Sequence, residues 1–166
     1  MKKLIIFLLM MLPLSVFAQQ TKIAVVNTQA VIEAMPEFAE MQKQLKQMED
    51  TYRKEFQVME NEYKKKYEAF IAQQDSLTEN IKMKRMQDLQ DMEQRTQNFV
   101  QVAQQDSQKK QQELFTPIQE KLRNAIKAVG DEKGYTYILD PTVVFYAGSS
   151  SIDATNDVKA KLGISK

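Results

Sequence analysis

From Phe38 onward the apolar residues recur at helical spacing. They fall at Met41, Leu45, Met48, Tyr52, Phe56, Met59, Tyr63, Tyr67 and Phe70. From Leu45 the steps repeat as three, four, four, which is an eleven-residue period. A period of about 3.67 residues per turn predicts a long helix with a nearly straight apolar stripe or a slight right-handed supercoil. At about 1.5 Å rise per residue the helix is on the order of 55 Å long, more than the width of a small domain. The pattern stops at a polar turn, Gln73 to Glu79, where Ser76-Leu77-Thr78-Glu79 reads as a capping box that starts a second helix. The second stripe runs through Leu77, Ile81, Leu89, Met92, Thr96, Phe99, Ala103, Leu114, Ile118, Leu122, Ile126 and Val129. It is thinner, and Gln104 to Glu113 holds no apolar residue, so that segment should be solvated or loosely packed. Pro117 should bend the helix, and Gly130 and Gly134 should end it. Residues 37–129 therefore predict an antiparallel helical hairpin with its turn near residues 73–79. With the turn centred near Asp75, residues whose numbers add to about 150 should lie side by side.

The flanks follow a different pattern. Lys22 to Val26 is a β-branched run and predicts a strand. Asn27 or Thr28 can cap a short helix through Ala34, which Met35-Pro36 ends; Pro36 then suits the first turn of the long helix. Tyr135 to Leu139 and Val143 to Ala147 are strand-like runs around the turn Asp140-Pro141-Thr142. Gly148 to Ser151 is a loop, and Thr155 or Asn156 can start a last short helix to Leu162, stopped by Gly163. The predicted fold class is α+β: a long antiparallel α-helical hairpin, a coiled-coil-like arm, inserted in a small β-rich oligomerisation body built from residues 19–36 and 130–166. Three short strands without a disulfide are marginal alone. Ile23, Val25, Tyr137, Leu139, Val144 and Tyr146 are therefore expected to form a shared core between copies. The alternative is a monomeric sheet backed by the short helices.

Residues 1–18 read as a secretory signal peptide. Lys2 and Lys3 precede the apolar run Leu4 to Leu12, and Val16-Phe17-Ala18 is a small-residue cleavage site. The run falls short of the roughly 20 apolar residues that span a bilayer; the alternative is an uncleaved N-terminal anchor. Without those residues the chain carries 21 basic and 22 acidic groups, and residues 37–129 hold sixteen of each. A nucleic-acid binder would show a basic excess, so nucleic acid is not an expected partner. The chain has no Cys and no His. It therefore has no disulfide, and it lacks the commonest general base and metal ligand. No phosphate loop, nucleophile constellation or metal-ligand spacing is present, so no enzyme activity, cofactor or metal is expected.

Candidate contact residues lie on the outer third of the hairpin. Tyr63, Tyr67, Phe70, Ile71, Leu77 and Ile81 crowd it, and two helices cannot bury that many large side chains between them. Exposed apolar patches mark binding surfaces; self-association of arms is the alternative. Met83 and Met86 fall off the stripe, flanking Ile81, and methionine suits surfaces that accept many partners. Lys64, Lys65, Lys66, Lys82, Lys84 and Arg85 form two basic runs that the expected pairing brings to one level, where anionic lipid or an acidic polypeptide could be met. Acidic neighbours at helical spacing make a compensated, solvated face the alternative.

Several blocks resemble a known family. Lys22-Ile-Ala-Val-Val-Asn-Thr-Gln-Ala-Val, then Pro36-Glu37 and a long Gln/Lys/Glu helix, is similar to the start of the Skp (OmpH-like) periplasmic chaperones. Ala125-Ile-Lys-Ala-Val, Glu132-Lys-Gly-Tyr, Ile138-Leu-Asp, Val144-Phe-Tyr-Ala and Asp153-Ala-Thr-Asn-Asp-Val resemble its end. The resemblance implies a homotrimer joined through a small β body. It also implies arms that enclose a cavity for unfolded outer-membrane proteins, without a nucleotide. Members are often strongly basic, and the balanced charge here departs from them. The function expected is an ATP-independent periplasmic holdase. A structural envelope spacer is the alternative from another class. A prefoldin-like cytosolic chaperone shares the plan but would not carry a signal peptide.

Overall fold

The computed structural model describes residues 21–164. The signal peptide expected over residues 1–18 lies outside the described residues. Strand β1 (Ile23–Val25) is followed by helix α1 (Thr28–Ala34), helix α2 (Pro36–Gln73), a single 3-10 turn (Gln74–Ser76) and helix α3 (Glu79–Lys133). Strand β2 (Tyr137–Leu139), a second 3-10 turn (Pro141–Val143), strand β3 (Ile152–Asp153) and helix α4 (Thr155–Lys161) complete the chain. The three strands form one parallel sheet in the order β2-β1-β3. Parallel neighbours need a crossover, and the crossover between β1 and β2 is the helical hairpin itself. The arm is thus an insertion between two adjacent strands.

One face of the sheet is packed and the other is open. Successive side chains of a strand point to opposite faces. Ala24 and Val26 are buried against the helices, while Ile23 faces solvent and Val25 is half-covered. The core collects Ala24, Val26, Val31, Ile32, Met35, Met41, Ile118, Leu122, Ala125, Val129, Ala154 and Val158. Helix α1 contributes Val31 and Ile32, α4 contributes Val158, and the root of the hairpin contributes Met41 and Ile118. Body and arm root therefore share one core. Gly130 lies within α3, and a Cβ there would sit 3.4 Å from Ile138 Cδ1, so its bare backbone keeps the helix close to β2. Gly134 alone ends the helix, with φ 65°, the left-handed conformation that glycine adopts without strain.

Polar side chains at the strand ends tie the body together. The Asn27 side chain accepts from Ala30 N at 2.9 Å and caps α1. Asn27 N donates to Thr155 Oγ1 at 3.0 Å, and Thr155 N donates to Asp153 Oδ1 at 2.9 Å. Asp140 accepts from Thr142 N at 2.9 Å and Thr142 Oγ1 at 2.6 Å through one oxygen. Its other oxygen accepts from Thr28 N at 3.2 Å and from the Thr28 hydroxyl. The Thr142 and Thr28 donors hold the Asp140 carboxyl far below the usual carboxylate range.

Four expectations are corrected. Val143 to Ala147 is not a strand: Pro141–Val143 forms the 3-10 turn, Val144 to Ala147 is irregular, and the third strand is Ile152–Asp153. Strand propensity needs a neighbouring strand to act on. Pro141 and the Asp140 side chain turn the chain away from the sheet, and the free edge of β1 is taken by Ile152. The capping box does not form. Ser76 Oγ donates to Gln73 O at 2.8 Å, closing α2, and α3 starts at Glu79 behind Thr78, which makes no side-chain cap. Gly130 does not end the helix. Finally, the hairpin pairs about an axis nearer Thr78 than Asp75: Tyr63 would have faced Gln87 but bonds Glu93, nearly two turns further along. Helix α3 runs through Pro117 without interruption.

Candidate functional site

The hairpin is thinly packed over most of its length. Between Met41 and Phe70 on α2, and between Met92 and Ile118 on α3, no side chain is buried. That solvated span includes Gln104 to Glu113 but is much longer. Two tyrosines bridge the helices there. Tyr52 packs edge-on against Phe99 at 5.7 Å and donates to Asp106 Oδ2 at 2.9 Å. Tyr63 donates to Glu93 Oε1 at 2.5 Å. The bond to Asp106 raises the Tyr52 pKa above its ordinary value, and the bond to Glu93 does the same for Tyr63.

Toward the tip a small interior returns. Phe70 is only 8% exposed, and Leu89 and Met92 are buried with it. Phe70 was expected on the contact surface; it is instead part of what holds the two helices together. Leu77 in the turn and Tyr63 are half-buried, and Tyr63 stacks on Tyr67 with ring centroids 6.1 Å apart. Tyr67, Ile71, Ile81, Met83 and Met86 are each 45–57% exposed. Val58, Val100 and Val102 are similarly exposed and were not singled out from the sequence. Their signal was their position off the apolar stripe, where an apolar residue has no partner helix to reach.

Helical geometry sorts these side chains by flank. A helix turns about 100° per residue. Taking Phe70 as inward on α2 puts Tyr67 and Ile71 on one flank. On α3, taking Leu89 as inward puts Met83 and Met86 on one flank also. The helices are antiparallel, so the same sense of rotation brings both sets to the same side of the arm. The register places Ile71 near Met86. The opposite flank is a shallow cleft lined by Lys66, Ala69, Gln73, Arg85, Asp88 and Leu89. Ile81 turns toward that flank. The distal arm is therefore two-sided, with an apolar flank and a polar one.

The basic runs do not meet at one level. The pairing axis near Thr78 offsets Lys64, Lys65 and Lys66 from Lys82, Lys84 and Arg85 by about two turns, on the order of 10 Å along the arm. Three of these six cations have side-chain partners. Lys84 lies 2.9 Å from Asp88, Lys64 lies 3.9 Å from Glu68, and Arg85 donates to Gln73 Oε1 at 2.8 Å. The bond from Lys84, with Lys66 nearby, lowers the Asp88 pKa. Lys65, Lys66 and Lys82 make no ion pair among the described residues.

At the body, the uncovered sheet face carries the residues expected at an assembly surface. Ile23, Tyr137 and Leu139 are exposed, and Val25 and Val144 are half-covered. Ile23, Val25, Leu139, Val144, Tyr146 and Ile152 line one groove between this face and the irregular segment after the 3-10 turn. Tyr137 lies beside it. Phe145 and Tyr146 extend almost wholly into solvent, and Phe145 was not anticipated. Among the described residues there is no cluster of metal-ligating side chains, and no helix is long and apolar enough to cross a membrane.

Comparisons with known proteins agree with this architecture. A solved OmpH-like protein from Caulobacter crescentus has the same fold, with a TM-score of 0.76 over 86% of this chain and 83% of that one, at 16% identity. The chaperone protein Skp of Yersinia enterocolitica is 28% identical over 144 residues, which is 87% of each chain. The family model described as outer membrane protein (OmpH-like) matches residues 22–162. With that match spanning the sheet, the whole hairpin and the last helix, the chain belongs to the OmpH-like family.

Proposed function

We propose that the protein is an ATP-independent holdase chaperone of the periplasm, exported by a signal peptide cleaved after about Ala18. It binds unfolded outer-membrane protein precursors and keeps them from aggregating. The observation that carries this is the apolar flank of the distal arm. Tyr67, Ile71, Met83 and Met86 are half-exposed on one side of the arm, outside its buried interior of Phe70, Leu89 and Met92. Such a surface suits many weak contacts with changing partners, so a client stays mobile and leaves without an energy source. The chaperone named among the relatives supports the same role. Phe70 and Leu77 support the surface from within rather than meeting the client. Lys65, Lys66 and Lys82 are the cations left for weak contact with anionic lipid or acidic client segments.

The working form is a homotrimer that covers the open sheet face. Ile23, Val25, Tyr137, Leu139, Val144 and Tyr146 supply the shared surface, an apolar patch that assembly would remove from water. No catalytic step and no cofactor enter this mechanism. The test is dilution of a urea-unfolded outer-membrane protein into buffer with stoichiometric amounts of this protein. Light scattering should fall, and native mass measurement should give three copies. Unchanged scattering with a correctly folded trimer would sink the chaperone role.

A further inference from the structure

We propose that Met83 and Met86 are an oxidation-sensitive site that turns the apolar flank of the arm polar. The client-binding consequence rests on the chaperone role above; the chemistry does not. The sequence has no cysteine, so methionine is its readily oxidised sulfur. Of the methionines within residues 21–164, Met35, Met41 and Met92 are buried, and Met48 and Met59 are half-covered. Met83 is 57% exposed and Met86 is 46% exposed. The two lie three residues apart, which makes them neighbours on the helix surface. Both turn to the flank that carries Ile71 and Tyr67. Methionine exposure is thus concentrated on the one part of the arm read as the contact surface.

The reagent is a two-electron oxidant such as hypochlorous acid. The thioether sulfur attacks its electrophilic chlorine, the O–Cl bond breaks, and the released hydroxide then displaces chloride from the chlorosulfonium so that an S–O bond forms. Chloride leaves with the electron pair, and the hydroxyl proton passes to water. Sulfur is oxidised by two electrons and chlorine is reduced to chloride. The product, methionine sulfoxide, is polar and reducible by a thiol-dependent reductase. Neither side chain packs in the hairpin interior, so the helices survive the change. A client segment that docked on two thioethers would now meet two strong hydrogen-bond acceptors. Affinity should fall on the order of tenfold, the cost of carrying an uncompensated polar group into an apolar contact.

The experiment treats the purified protein with increasing hypochlorite, quenches it, and maps oxygen uptake by peptide mass spectrometry. Helicity and suppression of client aggregation are measured on the same samples. Met83 and Met86 should take up oxygen before Met35, Met41 and Met92. Suppression should fall while helicity stays constant, and a thiol-dependent sulfoxide reductase should restore it. A Met83→Leu, Met86→Leu double variant, compared with itself before and after oxidant, should lose nothing on treatment. Equal uptake at buried and exposed methionines would overturn the proposal. So would undiminished suppression by the oxidised protein, or an equal loss in the double variant. Failure of the untreated protein to suppress aggregation would refute the chaperone role instead, and the order of oxygen uptake would still decide the oxidation site.

Discussion

Replacing Asp140 with asparagine preserves size and shape and removes one charge. The carboxylate joins two segments far apart in the sequence: Thr142 donates twice to one oxygen and Thr28 twice to the other. An asparagine side chain has one acceptor oxygen. If that oxygen faces Thr142, its amide NH2 faces the Thr28 donors, and donor opposes donor. A hydrogen bond to a charged group contributes about 1.5–3 kcal/mol, and a negative charge at a helix N-terminus adds about 0.3–1 kcal/mol. Asp140 is only half-covered, so water recovers part of the loss. The net penalty for Asp140→Asn should be about 2 kcal/mol, which makes local opening of the start of α1 about thirtyfold more frequent. Amide hydrogen exchange at Thr28 and Thr142 reads this directly, at fixed protein concentration because assembly also stabilises the body. The pH dependence has a definite sign. The folded pKa lies well below the unfolded value of about 3.9. The contribution is therefore fully present above the unfolded value and is lost as pH falls through the folded one. The difference between wild type and variant should be constant from about pH 8 to about pH 5 and should shrink only below about pH 4. Unchanged exchange at Thr28 in Asp140→Asn, or a penalty that varied across neutral pH, would refute this account of the latch.

Phe70→Ala should cost about 3 kcal/mol locally, as large-to-small changes at buried aromatic sites do. The loss should appear as faster exchange across the distal hairpin, with the body amides unaffected, because Phe70 is remote from the body core. Gly134→Ala should cost about 1 kcal/mol through backbone strain alone, since a Cβ there meets nothing within 4 Å but φ is 65°. Thermal unfolding of the body would measure it, and an unchanged midpoint would mean that the helix end relaxes.

Much of the arm was legible because one physical signal dominates it. An apolar residue every third or fourth position over ten turns has no other reading than a helix, and Pro36 marked where that helix begins. The short helix after β1 was equally plain, since Asn27 caps it as its chemistry suggests. The hairpin axis was misjudged because Ser76 has two uses. Its hydroxyl could have capped the second helix, but it closes the first. A sequence does not rank such rival hydrogen bonds. The third strand was misplaced for a different reason. Val143 to Ala147 has strand propensity but no edge to pair with, while Ile152–Asp153 has an edge and little propensity. Which segment reaches an edge is decided by the turn at Asp140 and Pro141, whose partner, Thr28, lies at the other end of the chain.

The displaced axis also changes how the distal arm works. Had the two basic runs met at one level, their summed field would have formed a cationic collar able to draw acidic clients or lipid from a distance. Separated by about two turns, the runs do not sum, and three of the cations also lie beside carboxylates: Lys84 with Asp88 and Lys64 with Glu68, each one turn along its own helix, and Lys66 near Asp88 across the hairpin. Exposed pairs of this kind contribute little to stability, but they cancel long-range attraction. What remains contiguous on the distal arm is its apolar flank. The same shift of nearly two turns that disperses the cations sets Ile71 level with Met86, within a flank whose side is fixed by helical rotation alone, so the register weakens one mode of recognition and leaves the other intact.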